Sequence, residues 1–183
     1  MTQRIGSNRI ANTAVIGLKL ADNSVRGNNI VVGQITSNLI ASNVQFNSSR
    51  IVESVNVSTI AASGNVNIDI SNASVHYFTA NTTANCTFNL RANATHSLDS
   101  VLANGQSVSV AIGLSQGTTQ YFANIYIDGV LQTSNTKWMG NVRPSFNASI
   151  GNAFTDFYNI TAIKTGSNSY IVLAGNTVFG VGS

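Results

Sequence analysis

The feature that most constrains this chain is a five-residue repeat near its N-terminus. Every fifth position in this tract carries a branched aliphatic side chain. On an α-helix, steps of five residues turn the marked side chain by about 140° per repeat, so no core-facing stripe results. On a flat strand, an odd step places successive aliphatics on opposite faces. The repeat therefore predicts short extended pieces separated by turns. The aliphatic positions are Ile5, Ile10, Val15, Leu20, Val25, Ile30, Ile35 and Ile40.

Such a tract is too short to stand alone as a solenoid. A four-sided solenoid would use about twenty residues per coil, which gives about two coils where about three repeats are needed. Copies wound around a shared axis would bury each aliphatic against its symmetry mates, and three-fold closure is the simplest way to do so. We expect residues 1–50 to form an intertwined homotrimeric stalk that also anchors the protein. The alternative is a poorly ordered polar segment.

The remainder of the chain, residues 51–183, changes to an alternation of period two. Short runs of alternating apolar residues, separated by turns rich in Asn, Gly and Ser, predict about eight strands. We predict that residues 121–127 form one strand. Asp128-Gly129 follows it and signals a hairpin turn before Val130. No segment shows a helical period. The chain is thus predicted to be all-β, with the stalk followed by an antiparallel β-sandwich of the jelly-roll or immunoglobulin-like kind.

Composition narrows the classes of function. Only 8% of residues are charged, and the net charge of +3 is scattered along the chain, so nucleic-acid binding is not expected. No apolar run is long enough to span a membrane, and the N-terminus lacks the pattern of a signal peptide. We expect no membrane insertion, and we expect release from the cell by lysis within an assembled particle.

Few side chains are available for catalysis. Glu53 is the only glutamate and Cys86 the only cysteine, while two histidines, His76 and His96, make a poor metal site. We expect no catalytic residues, no metal and no cofactor, so the protein is predicted not to be an enzyme. The alternative is a depolymerase whose carboxylate pair would be Asp128 and Asp156.

Exposed aromatic rings are the usual means of holding neutral glycans. Three aromatic residues in this chain could serve as glycan contacts, and the competing interpretation is packing in the core or between subunits. These residues are Trp138, Tyr121 and Tyr126.

Two sets of segments resemble known phage proteins. Residues 9–15 and 19–25 resemble the Lys-Ile-Ala-Asp-Gly-Ala-Val type of repeat that is common in bacteriophage tail fibres. The later part is similar to a C-terminal β domain of fibre-like virion proteins of cyanophages, through residues 52–57, 74–79, 88–91, 105–110, 137–138 and 163–165. A typical tail fibre starts with a docking domain, whereas this chain starts with repeats. Either the repeat tract docks by itself or the protein is a short appendage elsewhere on the particle.

The resemblance and the repeat together predict a non-enzymatic virion structural protein of a tailed phage. We expect a homotrimeric tail fibre or spike that associates with other virion proteins of the tail, neck or capsid and attaches to the host surface, including its glycans. The first alternative is a capsid decoration or neck appendage protein without a receptor role. The second is a carbohydrate-binding adhesin module.

Overall fold

A computed structural model describes residues 52–122, 124–144, 148–149 and 153–180 of this chain, which belong to one compact unit. The predicted stalk and its eight aliphatic residues lie outside the described residues. The boundary between residues 50 and 51 stays a prediction.

Almost all of the regular secondary structure in the described part is β-strand, so the all-β prediction is confirmed for these residues. One short helix, α1 (Leu98–Val101), and a 3-10 turn at Met139–Asn141 interrupt the strands. The strands are β1 (Val55–Ser58), β2 (Gly64–Asp69), β3 (Val75–Thr82), β4 (Cys86–Arg91), β5 (Ser107–Gln116), β6 (Thr119–Gln120), β7 (Ile125–Ile127), β8 (Val130–Leu131), β9 (Thr136–Trp138), β10 (Ala148–Ser149), β11 (Phe154–Gly166) and β12 (Ser169–Gly180).

Two larger sheets share one core. The six-stranded sheet has the order β1-β3-β5-β11-β12-β9, and the four-stranded sheet has the order β2-β4-β7-β8, while β6 pairs with β10. Phe88 of the four-stranded sheet meets Tyr158 of the six-stranded sheet edge-on, with ring centroids 5.5 Å apart. Phe122 stacks on Tyr158 at 4.7 Å, and all three rings are fully buried. The arrangement is therefore sandwich-like.

The prediction of an antiparallel sandwich is wrong, because both larger sheets are mixed. Among the described strands, five pairs are parallel and four are antiparallel. The chain crosses to the opposite sheet after each of the strands β1 to β4, so consecutive strands of one sheet run in the same direction. Alternation of apolar residues marks the face of a strand but does not set the direction of its neighbour.

These parallel strands form a circuit that repeats along the chain. Val55 pairs with Val75, twenty residues later, and Gly64 pairs with Cys86, twenty-two residues later. The next circuit is longer, since Val75 pairs with Ala111 and the extra length includes α1. The described domain therefore begins as two stacked solenoid-like coils. The long antiparallel hairpin of β11 and β12 then extends the six-stranded sheet.

Alternation along β11 places one set of side chains in the core and the other outside. Tyr158, Ile160 and Ala162 are buried, whereas Asn159 between them is exposed. The polypeptide then reverses through a turn in which Asn168 adopts a positive φ of 51°. Asn tolerates this left-handed conformation better than most side chains do.

The segment around β7 confirms one local prediction and contradicts another. The hairpin at Asp128-Gly129 is confirmed, with φ values of 48° and 80° and antiparallel pairing of β7 with β8. The predicted strand over residues 121–127 is wrong in its first half, because β7 spans only Ile125–Ile127. Residues ahead of β7 instead bring Phe122 into the core.

The centre of the six-stranded sheet tolerates no side chain at Gly113. A Cβ atom there would lie 2.5 Å from Cδ2 of Tyr77 and 2.9 Å from Cε2 of Phe157. We expect Gly113→Ala to lower the free energy of unfolding by about 1–3 kcal/mol through overpacking. Chemical denaturation measures the change. Gly117→Ala is the matched control, since a Cβ at Gly117 meets nothing within 4 Å, and an equal loss in both variants would contradict the explanation.

Candidate functional site

The outer face of the four-stranded sheet carries rows of polar side chains. The parallel register of β2 and β4 sets Asn67 beside Asn89 and Asp69 beside Arg91. Asn89 Nδ2 donates a hydrogen bond to Asn67 Oδ1 at 2.9 Å, and Arg91 forms an ion pair with Asp69. Asn89 Oδ1 also accepts a hydrogen bond from the Gly129 backbone N–H at 2.8 Å. These bonds fix an amide-rich surface in place.

An open hollow of about 350 Å³ lies at one end of this polar face. Its wall includes Arg91, Asn93, His96 and Asp128. Asn93 Oδ1 accepts hydrogen bonds from the backbone N–H groups of Thr95 and His96, both at 2.9 Å. These bonds hold the turn that places the His96 imidazole at the hollow. The guanidinium of Arg91, at the end of β4, lies in the same wall, and the two groups together suit hydroxyl-rich ligands.

The three predicted aromatic contacts lie in different surroundings. Tyr126 lies next to Asn89 in the register of β4 and β7, so its half-buried ring belongs to the polar outer face. Trp138 lies in β9 of the other sheet and packs edge-on against Phe122, with centroids 5.8 Å apart. Tyr121 precedes Phe122, and its backbone carbonyl accepts a hydrogen bond from Gln116. No platform shared by Tyr126 and Trp138 results from this placement.

Asp128 and Asp156 do not form the carboxylate pair of a glycosidase. Both carboxylate oxygens of Asp128 accept backbone N–H groups at the start of α1, from Leu98 at 2.6 Å and Asp99 at 2.9 Å. Asp99 in turn pairs with Lys164 at 2.8 Å. Asp156 lies eight residues before Lys164 in β11, which corresponds to about 26 Å along the strand. Catalytic carboxylates lie about 5–9.5 Å apart.

Asp156 is instead the centre of a buried polar cluster. Its side chain has no exposed surface, and it accepts hydrogen bonds from Gln120 at 2.9 Å, Gln116 at 3.1 Å and Tyr158 at 3.3 Å. Burial raises the pKa of the Asp156 carboxyl, and these donors oppose the rise. The cluster closes the end of the sandwich opposite to Lys164.

The histidines and the cysteine have structural surroundings. His76 is buried, donates from Nε2 to the Ala73 carbonyl at 3.1 Å, and has Nδ1 3.1 Å from Asn56 Nδ2. Burial lowers the pKa of His76, so the imidazole is neutral at pH 7. Burial likewise raises the pKa of the Cys86 thiol to about 12, which leaves it unreactive. His96 is exposed at the hollow.

The described residues offer neither a metal-binding cluster nor a membrane-spanning helix. Across 52–122, 124–144, 148–149 and 153–180, no three His, Cys, Asp or Glu side chains come together in a way that could hold a metal ion. Within the same ranges, no helix has the length and apolar character needed to cross a bilayer.

Comparisons of this chain with protein-family models, with curated proteins and with solved structures find no match.

The sequence alone did not reveal that the polar residues of β2 and β4 form one surface. The polar residues of β2 and β4 are visible as alternating positions in the sequence. Only the parallel register, with an offset of twenty-two residues, sets Asn67 against Asn89. Comparing the sequence with itself after a shift of twenty-two residues, the length of one coil, would have aligned Asn67 with Asn89.

The raised pKa of Asp156 makes a pH-dependent contribution to stability. Because the folded-state pKa lies above the unfolded value of about 3.9, the stabilising contribution is complete below about pH 4 and is lost as the pH rises through the folded-state pKa. We expect the melting temperature of the wild type, minus that of Asp156→Asn, to increase as the pH falls from 7 to 4. Other titrating groups, including His76, cancel in this difference. A flat difference would contradict the assignment.

Proposed function

We propose that this protein is a non-enzymatic structural protein of a phage virion, a homotrimeric tail fibre or spike whose β domain contacts the host surface. The observation that carries the proposal is the five-residue aliphatic repeat between Ile5 and Ile40. A tract of about two coils is too short to bury those side chains within one copy, whereas a trimer would bury them against its symmetry mates. The placement in a virion tail draws on the resemblance of residues 9–15 and 19–25 to tail-fibre repeats.

The polar face of the four-stranded sheet supports a role in contact with neutral glycans. The exposed amide of Asn67, held in place by the buried Asn89, matches the hydroxyl groups of sugars, and Tyr126 adds a ring to the same face. Trp138 and Tyr121 are less suited to this contact. The Trp138 ring packs against Phe122, and the backbone carbonyl of Tyr121 accepts a hydrogen bond from the buried Gln116. The described residues thus favour adhesion by a preformed surface over turnover of a substrate.

Oligomeric state is the first test. We expect the full-length protein to have a mass of about 58 kDa by light scattering, three times the 19.2 kDa of one chain. Exchanging two repeat aliphatics together, Val15→Asn with Leu20→Asn, should abolish the trimer because polar amides replace the buried contacts. Thr13→Asn, a polar exchange within the same tract, should leave the mass unchanged. A stable wild-type monomer would contradict the proposal.

Host contact is tested by binding of fluorescently labelled full-length protein to a panel of cyanobacterial cells. We expect Tyr126→Ala to weaken binding by at least about fivefold, since stacking contributes roughly 1 kcal/mol beyond the buried area. Tyr126→Phe keeps the ring and should bind within about twofold of the wild type. Melting temperature and mass of each variant confirm that the fold is retained.

The same experiment separates the two virion roles. A capsid decoration or neck protein without a receptor would leave every strain unlabelled while still assembling as a trimer. If Tyr126→Ala binds cells as well as the wild type does, the polar face is not the contact surface. Host contact through another surface would still stand.

A further inference from the structure

The outer face of the six-stranded sheet exposes more large apolar side chains than the outer face of the four-stranded sheet. On the six-stranded sheet, outward positions of the edge and hairpin strands carry large apolar side chains that remain exposed. Their exposed fractions are 47% for Val55, 56% for Val57, 43% for Ile171, 46% for Leu173 and 57% for Phe179. The outer face of the four-stranded sheet, in contrast, carries the amide and charged rows described above. An exposed apolar face of this kind marks an interaction surface.

The centre of this apolar face is flat because its side chains are small. Outward positions of β5 carry Ser109, Ala111 and Gly113, and the rings of Tyr77 and Phe157 lie over Gly113. Phe157 also meets Phe179 at a ring distance of 6.2 Å. A shallow central strip with aromatic and aliphatic side chains on either side can be covered by another flat protein surface.

The face is large enough for a stable contact between proteins. The six strands together contain 50 residues, which at about 3.3 Å per residue and about 4.8 Å between strands cover roughly 800 Å². A standard interface buries about 800 Å² on each partner. The available area therefore matches a protein partner and exceeds what a small ligand would cover.

Charge distribution favours a second copy of the same chain as that partner. Among the described residues of the six strands, Lys137 in the edge strand β9 is the only charged side chain on the outer face. Glu53 precedes β1 at the opposite edge. In a closed ring, one edge of each copy lies beside the opposite edge of the next, so Glu53 approaches Lys137 without like-charge contacts.

We propose that the outer face of the six-stranded sheet is the contact between sister copies of the β domain around the trimer axis. The inference rests on the proposed function, because the N-terminal repeats would hold the three domains at a high effective concentration. The polar face of the four-stranded sheet then points away from the axis, where a host glycan can reach it.

The test measures reaction rates of single cysteines introduced into the full-length protein. Leu173→Cys probes the apolar face, and Leu131→Cys is the matched control on the outer face of the four-stranded sheet. The two leucines are equally exposed in one copy, at 46% and 45%. Cys86 is buried and does not react with the reagent. We expect the maleimide to react at least tenfold more slowly with Leu173→Cys in the native protein and equally fast with both after denaturation.

Equal native rates in a protein with a trimeric mass would overturn this inference and leave the proposed function standing. A monomeric mass would overturn the proposed function as well. Protection of Leu173→Cys in a monomer would show that something other than a sister copy covers the face, and would also overturn the inference.

A second pair of variants supplies an independent measurement. We expect Leu173→Glu to shift dissociation of the trimer to lower denaturant concentration, since it places a charge in an apolar contact, whereas Leu131→Glu leaves dissociation unchanged. Equal behaviour of the two glutamate variants would contradict the proposed interface.

Discussion

The packing of Phe88, Phe122 and Tyr158 is the interaction on which the described structure depends. Each ring comes from a different part of the chain, and the three centroid distances are 5.3, 5.5 and 4.7 Å. Aromatic side chains bury about 150–250 Å² each, so this cluster contributes a large part of the apolar area between the two sheets. The chain crosses from one sheet to the other after each of the strands β1 to β4, so both sheets contribute side chains to this shared core.

The sequence predicted the strands better than their pairing. Clean alternation in β5 and β11 marks the inward positions, and the structure buries Ile112, Leu114, Tyr158 and Ile160 as that alternation requires. Pairing direction depends on which sheet the chain enters next, and that choice is made by the common core rather than by any single strand. The prediction of one strand over residues 121–127 was wrong in its first half because Phe122 packs into the shared core, and only Ile125–Ile127 form a strand.

The candidate site was predictable only in part. Tyr126 was singled out from its residue type, and its place on an outer face agrees with a contact role. The role of Trp138 could not be decided from the sequence, since an indole serves equally well for packing against Phe122 and for stacking on a sugar. The Asn67 and Asn89 pair becomes visible only when the register is known, because two asparagines twenty-two residues apart carry no local signal.

A low content of charge shapes both outer faces in different ways. On the polar face, amides replace charged groups, so hydrogen bonding to a neutral polymer involves little screening by salt. On the apolar face, small residues occupy the central strand and larger apolar residues surround it, so the proposed contact would depend mainly on burial of apolar area. With only 8% charged residues, contacts of the two proposed kinds would weaken little at high ionic strength.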